Sequence, residues 1–210
     1  MVRTENDQTQ ARYEEVGRHN SARRNLLKKA AILTTLLTVC FVIAAEAQTA
    51  APKPDPEFKK LQVLVGHWTY DGEYKAGPWG PATTIKGEWT YQFVLNGFVL
   101  QGHCTEKSAQ GVVHYLEIDE FDQSAKKIVD SVAGDDGSRY SGSVVVSGNT
   151  VTWAGTFYLD GKPYQFREPM VCSADFTNCP AKAEISTDGK TWVPFFETTF
   201  IKAKPAAKKK

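Results

Sequence analysis

Aromatic residues at alternate positions carry most of the chemistry this chain offers. Trp68, Tyr70 and Tyr74 share one face of an extended segment, with Gly72 between them, and Trp89, Tyr91 and Phe93 repeat the pattern. Trp153 and Phe157 form a third such face. Tyr and Trp join an apolar body to a polar tip that needs a partner when buried. A wall built this way suits a small hydrophobic or amphipathic molecule. The same rings could instead fill a core, and the pattern alone leaves both readings open.

The polar candidates are fewer. In a hairpin turning between Ser108 and Ala109, His103 stands opposite His114, and His114 shares its face with Leu116 and Ile118, which predicts an inward imidazole. Two imidazoles fall short of a ligand set, and no His/Asp/Glu cluster at fixed ligand spacing supports them. No metal and no cofactor is therefore expected. Arg167 and Glu168 fall on opposite faces of one strand, so one of them points inward, to be paired or to hold an anionic group. Arg167 is the ligand-facing candidate, with Glu197 as its expected partner. No nucleophile elbow, phosphate loop or paired-carboxylate signature is present, and no catalytic residue is assigned. The expected ligand-binding set is Trp68, Tyr70, Tyr74, Trp89, Tyr91, Phe93, His114, Trp153, Phe157 and Arg167. Two other classes stay open: an enzyme using His114, Arg167 or Glu197, and a module that binds another protein through its outer surface.

Cys172 and Cys179 bracket six residues between two expected strands, which predicts a disulfide closing that loop. Among the cysteines after residue 47, Cys104 is left over, and with no basic partner in view it reads as a buried thiol.

These residues must be positioned by strands. Asp55-Pro56-Glu57 reads as a helix start, Phe58, Leu61, Leu64 and Val65 recur at helical spacing, and Gly66 ends the segment. From Trp68 the period is two. Asn96-Gly97, Asp135-Asp136-Gly137, Gly148-Asn149, Asp160-Gly161 and Asp188-Gly189 then punctuate alternating runs, and Asn96-Gly97 reads as a two-residue hairpin. About ten antiparallel strands result. A meander of that length with one apolar face must close to hide its edges. The fold class is all-β: an up-and-down barrel of about ten strands, with one short N-terminal helix plugging an end.

In order along the chain, Leu64-Val65-Gly66-His67-Trp68, the aromatic strand ending at Asn96-Gly97, Glu120-Phe121-Asp122, Val129-Asp130-Ser131 and Gly161-Lys162 with Arg167-Glu168 resemble a bacterial family of exported domains of unknown function, number 1579 of its series. The resemblance spans Pro56 to about Lys202 and implies a lipocalin-like barrel without implying an activity. Gly66-x-Trp68 is also similar to the first-strand signature of lipocalins, in which an arginine of the last strand packs over the tryptophan. The last strand here holds no arginine, so Arg167 is the expected substitute. Haem-binding relatives use a histidine near the C-terminus, and no histidine follows His114.

The N-terminal region reads as an address. Arg23-Arg24-Asn25-Leu26-Leu27-Lys28 resembles a twin-arginine signal, though an ordinary basic leader reads similarly. An apolar run over residues 30–45 is too short to span a membrane comfortably, and Ala45-Glu46-Ala47 fits a cleavage site. The expected organisation is a signal peptide at 1–47, a linker at 48–54, a barrel at 55–202 and a disordered basic tail at 203–210. Retention of the leader as an anchor is the alternative. Removing residues 1–47 turns the formal charge from +1 to about −1. Four of the remaining basic residues lie in the tail. No basic patch interleaved with aromatics points to nucleic acid, and the expected partner is a small ligand in a periplasmic or extracellular setting.

Overall fold

The computed structural model describes residues 52–204; the expected leader, most of the expected linker and the end of the expected tail lie outside the described residues. Ten strands follow one another: β1 (Gly66–Tyr74), β2 (Thr83–Val94), β3 (Val99–Ser108), β4 (Gly111–Asp122), β5 (Lys127–Gly134), β6 (Arg139–Ser147), β7 (Thr150–Leu159), β8 (Lys162–Val171), β9 (Asn178–Ser186) and β10 (Val193–Lys202). Each pairs antiparallel with the next, and β1 pairs with β10 from Trp68↔Lys202 to Tyr74↔Phe196, closing the barrel. Closure leaves no free edge, as the alternating pattern requires.

Inward positions are those the alternation marks on most strands: Trp68 and Tyr70 on β1, Ile85 and Tyr91 on β2, Val151 and Trp153 on β7, Tyr164, Phe166 and Met170 on β8, all buried. On β10 a bulge between Pro194 and Phe196 breaks the alternation. It turns both Phe195 and Phe196 toward the interior.

One end is plugged by the segment before β1. It forms a 3₁₀ helix, Phe58–Val63, rather than an α-helix, and its start is Glu57 rather than Asp55. The Asp55 carboxylate accepts from the Glu57 N–H at 2.8 Å, which spends it on a turn before the helix. Phe58 and Leu61 are fully buried beneath the barrel wall, and Phe93 meets Phe58 edge-on at 5.7 Å. Over the other end the β1–β2 loop folds back. Its Trp79 donates to the Lys75 carbonyl at 2.8 Å and packs edge-on against Tyr164 and Phe195.

Two turns differ from expectation. The β2–β3 connection holds four residues, because Val94 pairs with Val99, and Leu95 and Asn96 both take positive φ. Ala109 and Gln110 form the β3–β4 turn, with Ser108 paired to Gly111. His103 therefore stands opposite Leu116, and His114 opposite Thr105.

Cys172 and Cys179 form the expected disulfide across the β8–β9 loop. Breaking it with Cys172→Ser lowers stability by about 2–3 kcal/mol through the freed loop entropy. A urea melt read under non-reducing conditions measures this, and an unshifted midpoint contradicts it.

Candidate functional site

The barrel encloses a cavity of about 150 Å³. Its wall includes seven of the ten expected residues: Trp68, Tyr70, Tyr74, Trp89, Tyr91, Trp153 and Phe157. Trp89 stacks on Tyr91 at 5.3 Å, and Phe157 leans on Phe166 and Phe195. Phe93 faces inward as expected but packs beneath the helical plug.

The remaining two are corrected. His114 lies on the outer surface, 3.4 Å from the Thr105 hydroxyl. On β4 the apolar residues Leu116 and Ile118 face out with it, while Tyr115, Glu117 and Asp119 face in. Arg167 is also outside. Its guanidinium bonds the Glu184 carboxylate at 2.6 Å and covers the Trp192 ring at 4.3 Å. Glu197 is not its partner but lies on the outer face between Lys75 and Lys182. Those three residues, which an enzyme reading would have used, do not converge. The cation over Trp68 is Lys202, from the last strand, with Nζ 4.9 Å from the ring centre. Arg167 does not take that place.

Sequence reasoning missed the acids inside, apart from naming Glu168 as one of two residues that could point inward. Glu106, Glu117, Asp130 and Glu168 line the cavity, with Asp119 buried behind them. Glu168 is the inward member of the Arg167-Glu168 pair. Two of the five are held by one repeated device. Tyr70 on β1 crosses Gly87 on β2 and donates to Glu106 Oε2 on β3 at 2.6 Å. Tyr91 on β2 crosses Gly102 on β3 and donates to Glu117 Oε2 on β4 at 2.8 Å. A Cβ on either glycine would collide with the tyrosine ring, so each crossing needs glycine. Tyr74 supplies Glu106 with a second bond at 3.1 Å.

Asp119 and Asp130 are direct cross-strand partners on β4 and β5, and Glu117 precedes Asp119 on the same face. Burial holds all these carboxyls above their ordinary range. Glu117 is pushed up to about 7 by burial, against the opposing bond from Tyr91. Glu168 is pushed up to about 8, with the Glu117 charge adding to burial. Asp119 and Asp130 rise well above the usual value, by burial first and by the neighbouring carboxylates next. Burial also raises Glu106, though its tyrosine bonds oppose the shift. Cys104 is the buried thiol expected, 3.5 Å from the Tyr70 hydroxyl, and burial raises its pKa, which keeps it unreactive. No Lys, Arg or His is among the described residues that line the cavity.

The family described as "Protein of unknown function (DUF1579)" matches residues 53–202, and the chain belongs to it. No curated protein matches the sequence. Among solved structures the chain is similar to Rv2717c from M. tuberculosis, at 12% identity and TM-score 0.54, over 72% of this chain and 100% of that one. That likeness bears on the fold alone. The S-type phycobiliprotein lyase CPES from Guillardia theta matches at 9% identity and TM-score 0.47, over 70% of this chain and 92% of that one. A de novo designed fluorescence-activating β-barrel matches at 14% identity and TM-score 0.36, over 69% and 98%.

Proposed function

We propose that this protein is an exported binding barrel that holds one small, neutral or cationic amphipathic molecule without transforming it. One observation carries the reading: an aromatic cavity lined by four carboxyls and, among the described residues, by no basic side chain. Ring faces of Trp89, Tyr91 and Trp153 favour an apolar or cationic body. Carboxyls disfavour an anion such as a fatty-acid carboxylate, which would find no counter-charge. A cavity of about 150 Å³ accepts roughly one ring of buried ligand. The twin-arginine-like leader and the Cys172–Cys179 disulfide support an oxidising, non-cytoplasmic setting.

Native mass spectrometry of the protein from an exporting host tests this. The expected result is an excess mass that disappears on denaturation and is reduced at least tenfold in occupancy by Val132→Phe, which fills the cavity from β5. A bare folded protein, or an excess mass indifferent to that substitution, overturns the reading.

A further inference from the structure

We infer that Glu117, Asp119 and Asp130 form a binding site for a hard divalent cation on the inner wall between β4 and β5. Each residue offers a carboxylate oxygen, and the three oxygens lie within 4.8 Å of one another. An ion at their centre stands no farther than about 2.8 Å from each, within small side-chain adjustments of the 2.3–2.6 Å that calcium takes.

The hydrogen bonding points the same way. Glu117 Oε1 and both oxygens of Asp119 and of Asp130 are buried without a hydrogen-bond partner. The three residues are only 3%, 0% and 1% exposed. Carboxyl groups that shared a proton would bond one another, and none of these five oxygens bonds anything. Among the described residues no basic side chain lines the cavity to balance them. Tyr91 meanwhile donates to the other Glu117 oxygen, Oε2, which fixes the orientation of that carboxyl and leaves Oε1 without a partner. Orientation of a ligand by an outer hydrogen bond is how metal sites are commonly held. All the donors are oxygen, so the site selects calcium, magnesium or manganese over metals that favour nitrogen or sulfur. Glu117 and Asp130 reach the cavity, which gives an ion its entry and its remaining water ligands.

This inference does not rest on the proposed ligand. Protein stripped with a chelator is titrated with Ca²⁺, Mg²⁺ and Mn²⁺ by calorimetry and thermal melts, and with Tb³⁺ by luminescence sensitised through Trp153. One equivalent is expected to bind, with a melting temperature raised by several degrees. Asp119→Asn/Asp130→Asn weakens binding at least 100-fold while the barrel stays folded by circular dichroism. Asp71→Asn, on the outer surface beside Lys86, leaves it unchanged. Should the double variant fail to fold, Glu117→Gln carries the same expectation. A folded native protein that binds none of these ions at 10 mM overturns the site, as does binding that survives the substitutions. A cation without an organic mass sinks only the proposed ligand; an organic mass without a cation sinks only this site.

Discussion

In the presence of chelator the barrel loses stability as pH rises from about 5 to about 8, and Glu168→Gln removes a large share of that loss. Glu168 sits on β8 directly across from Trp153, facing the cavity. Glu168 feels the charge of Glu117 on β4, and its own charge acts on Asp130 on β5 and on the Tyr140 hydroxyl on β6. Its folded pKa is raised from 4.5 to about 8, by burial first and by Glu117 second. Between those values the folded protein keeps a proton that the unfolded chain has released. The unfolded state therefore binds fewer protons, and stability falls with pH across that window. Below it both states are protonated and the contribution is whole; above it both are ionised and the folded state bears an uncompensated charge. Partial access from the cavity reduces the effect, which is on the order of 2–4 kcal/mol. Glutamine keeps the shape and cannot ionise, so the variant matches the native protein near pH 5 and exceeds it near pH 8. Urea midpoints at several pH values measure the difference. Parallel curves for the two proteins would show that Glu168 ionises freely in the fold.

The barrel was legible in the chain because its outer and inner faces mostly differ in kind. Trp68, Tyr70 and Tyr74 face in while Thr69, Asp71 and Glu73 face out, and that contrast alone places β1. On β4 the contrast runs backward. Leu116 is 39% exposed and Asp119 is 0% exposed, so a rule that sends apolar residues inward assigns the wrong face to the whole strand. His114 went astray with it. The acids were hidden for another reason. Glu106, Glu117, Asp130 and Glu168 come from four strands, and no two share a ligand-like spacing along the chain; strand register alone brings them together. A search for metal ligands among histidines could not find them. One signal was available. Tyr, Gly and Glu occupy registered positions on three successive strands twice over, as Tyr70, Gly87 and Glu106 and as Tyr91, Gly102 and Glu117. A glycine placed beside an aromatic on a paired strand marks a ring crossing to reach something polar.

Trp68→Ala is expected to lower stability by about 3–5 kcal/mol, the range for deleting a buried large aromatic. More than packing is lost, because Trp68 ties the plug to the barrel. Its indole N–H donates to the Leu64 carbonyl at 2.7 Å, and the Lys202 ammonium donates to the Val63 carbonyl at 2.7 Å while lying over the indole ring. The end of the 3₁₀ helix is thus held by the first strand and the last, at the seam where β1 and β10 close the barrel. Trp68→Phe keeps a ring and removes the indole donor, leaving a buried carbonyl short of a partner at a cost of about 1–2 kcal/mol. Lys202→Met removes the other donor, with about 1 kcal/mol lost at a partly exposed site. A general packing defect would loosen the whole barrel. Loss of the clamp is local, so amide hydrogen exchange in Trp68→Phe should quicken over residues 58–65 while β5 to β8 keep their protection. Equal quickening throughout, or none in the plug, would show that these two bonds do not hold it.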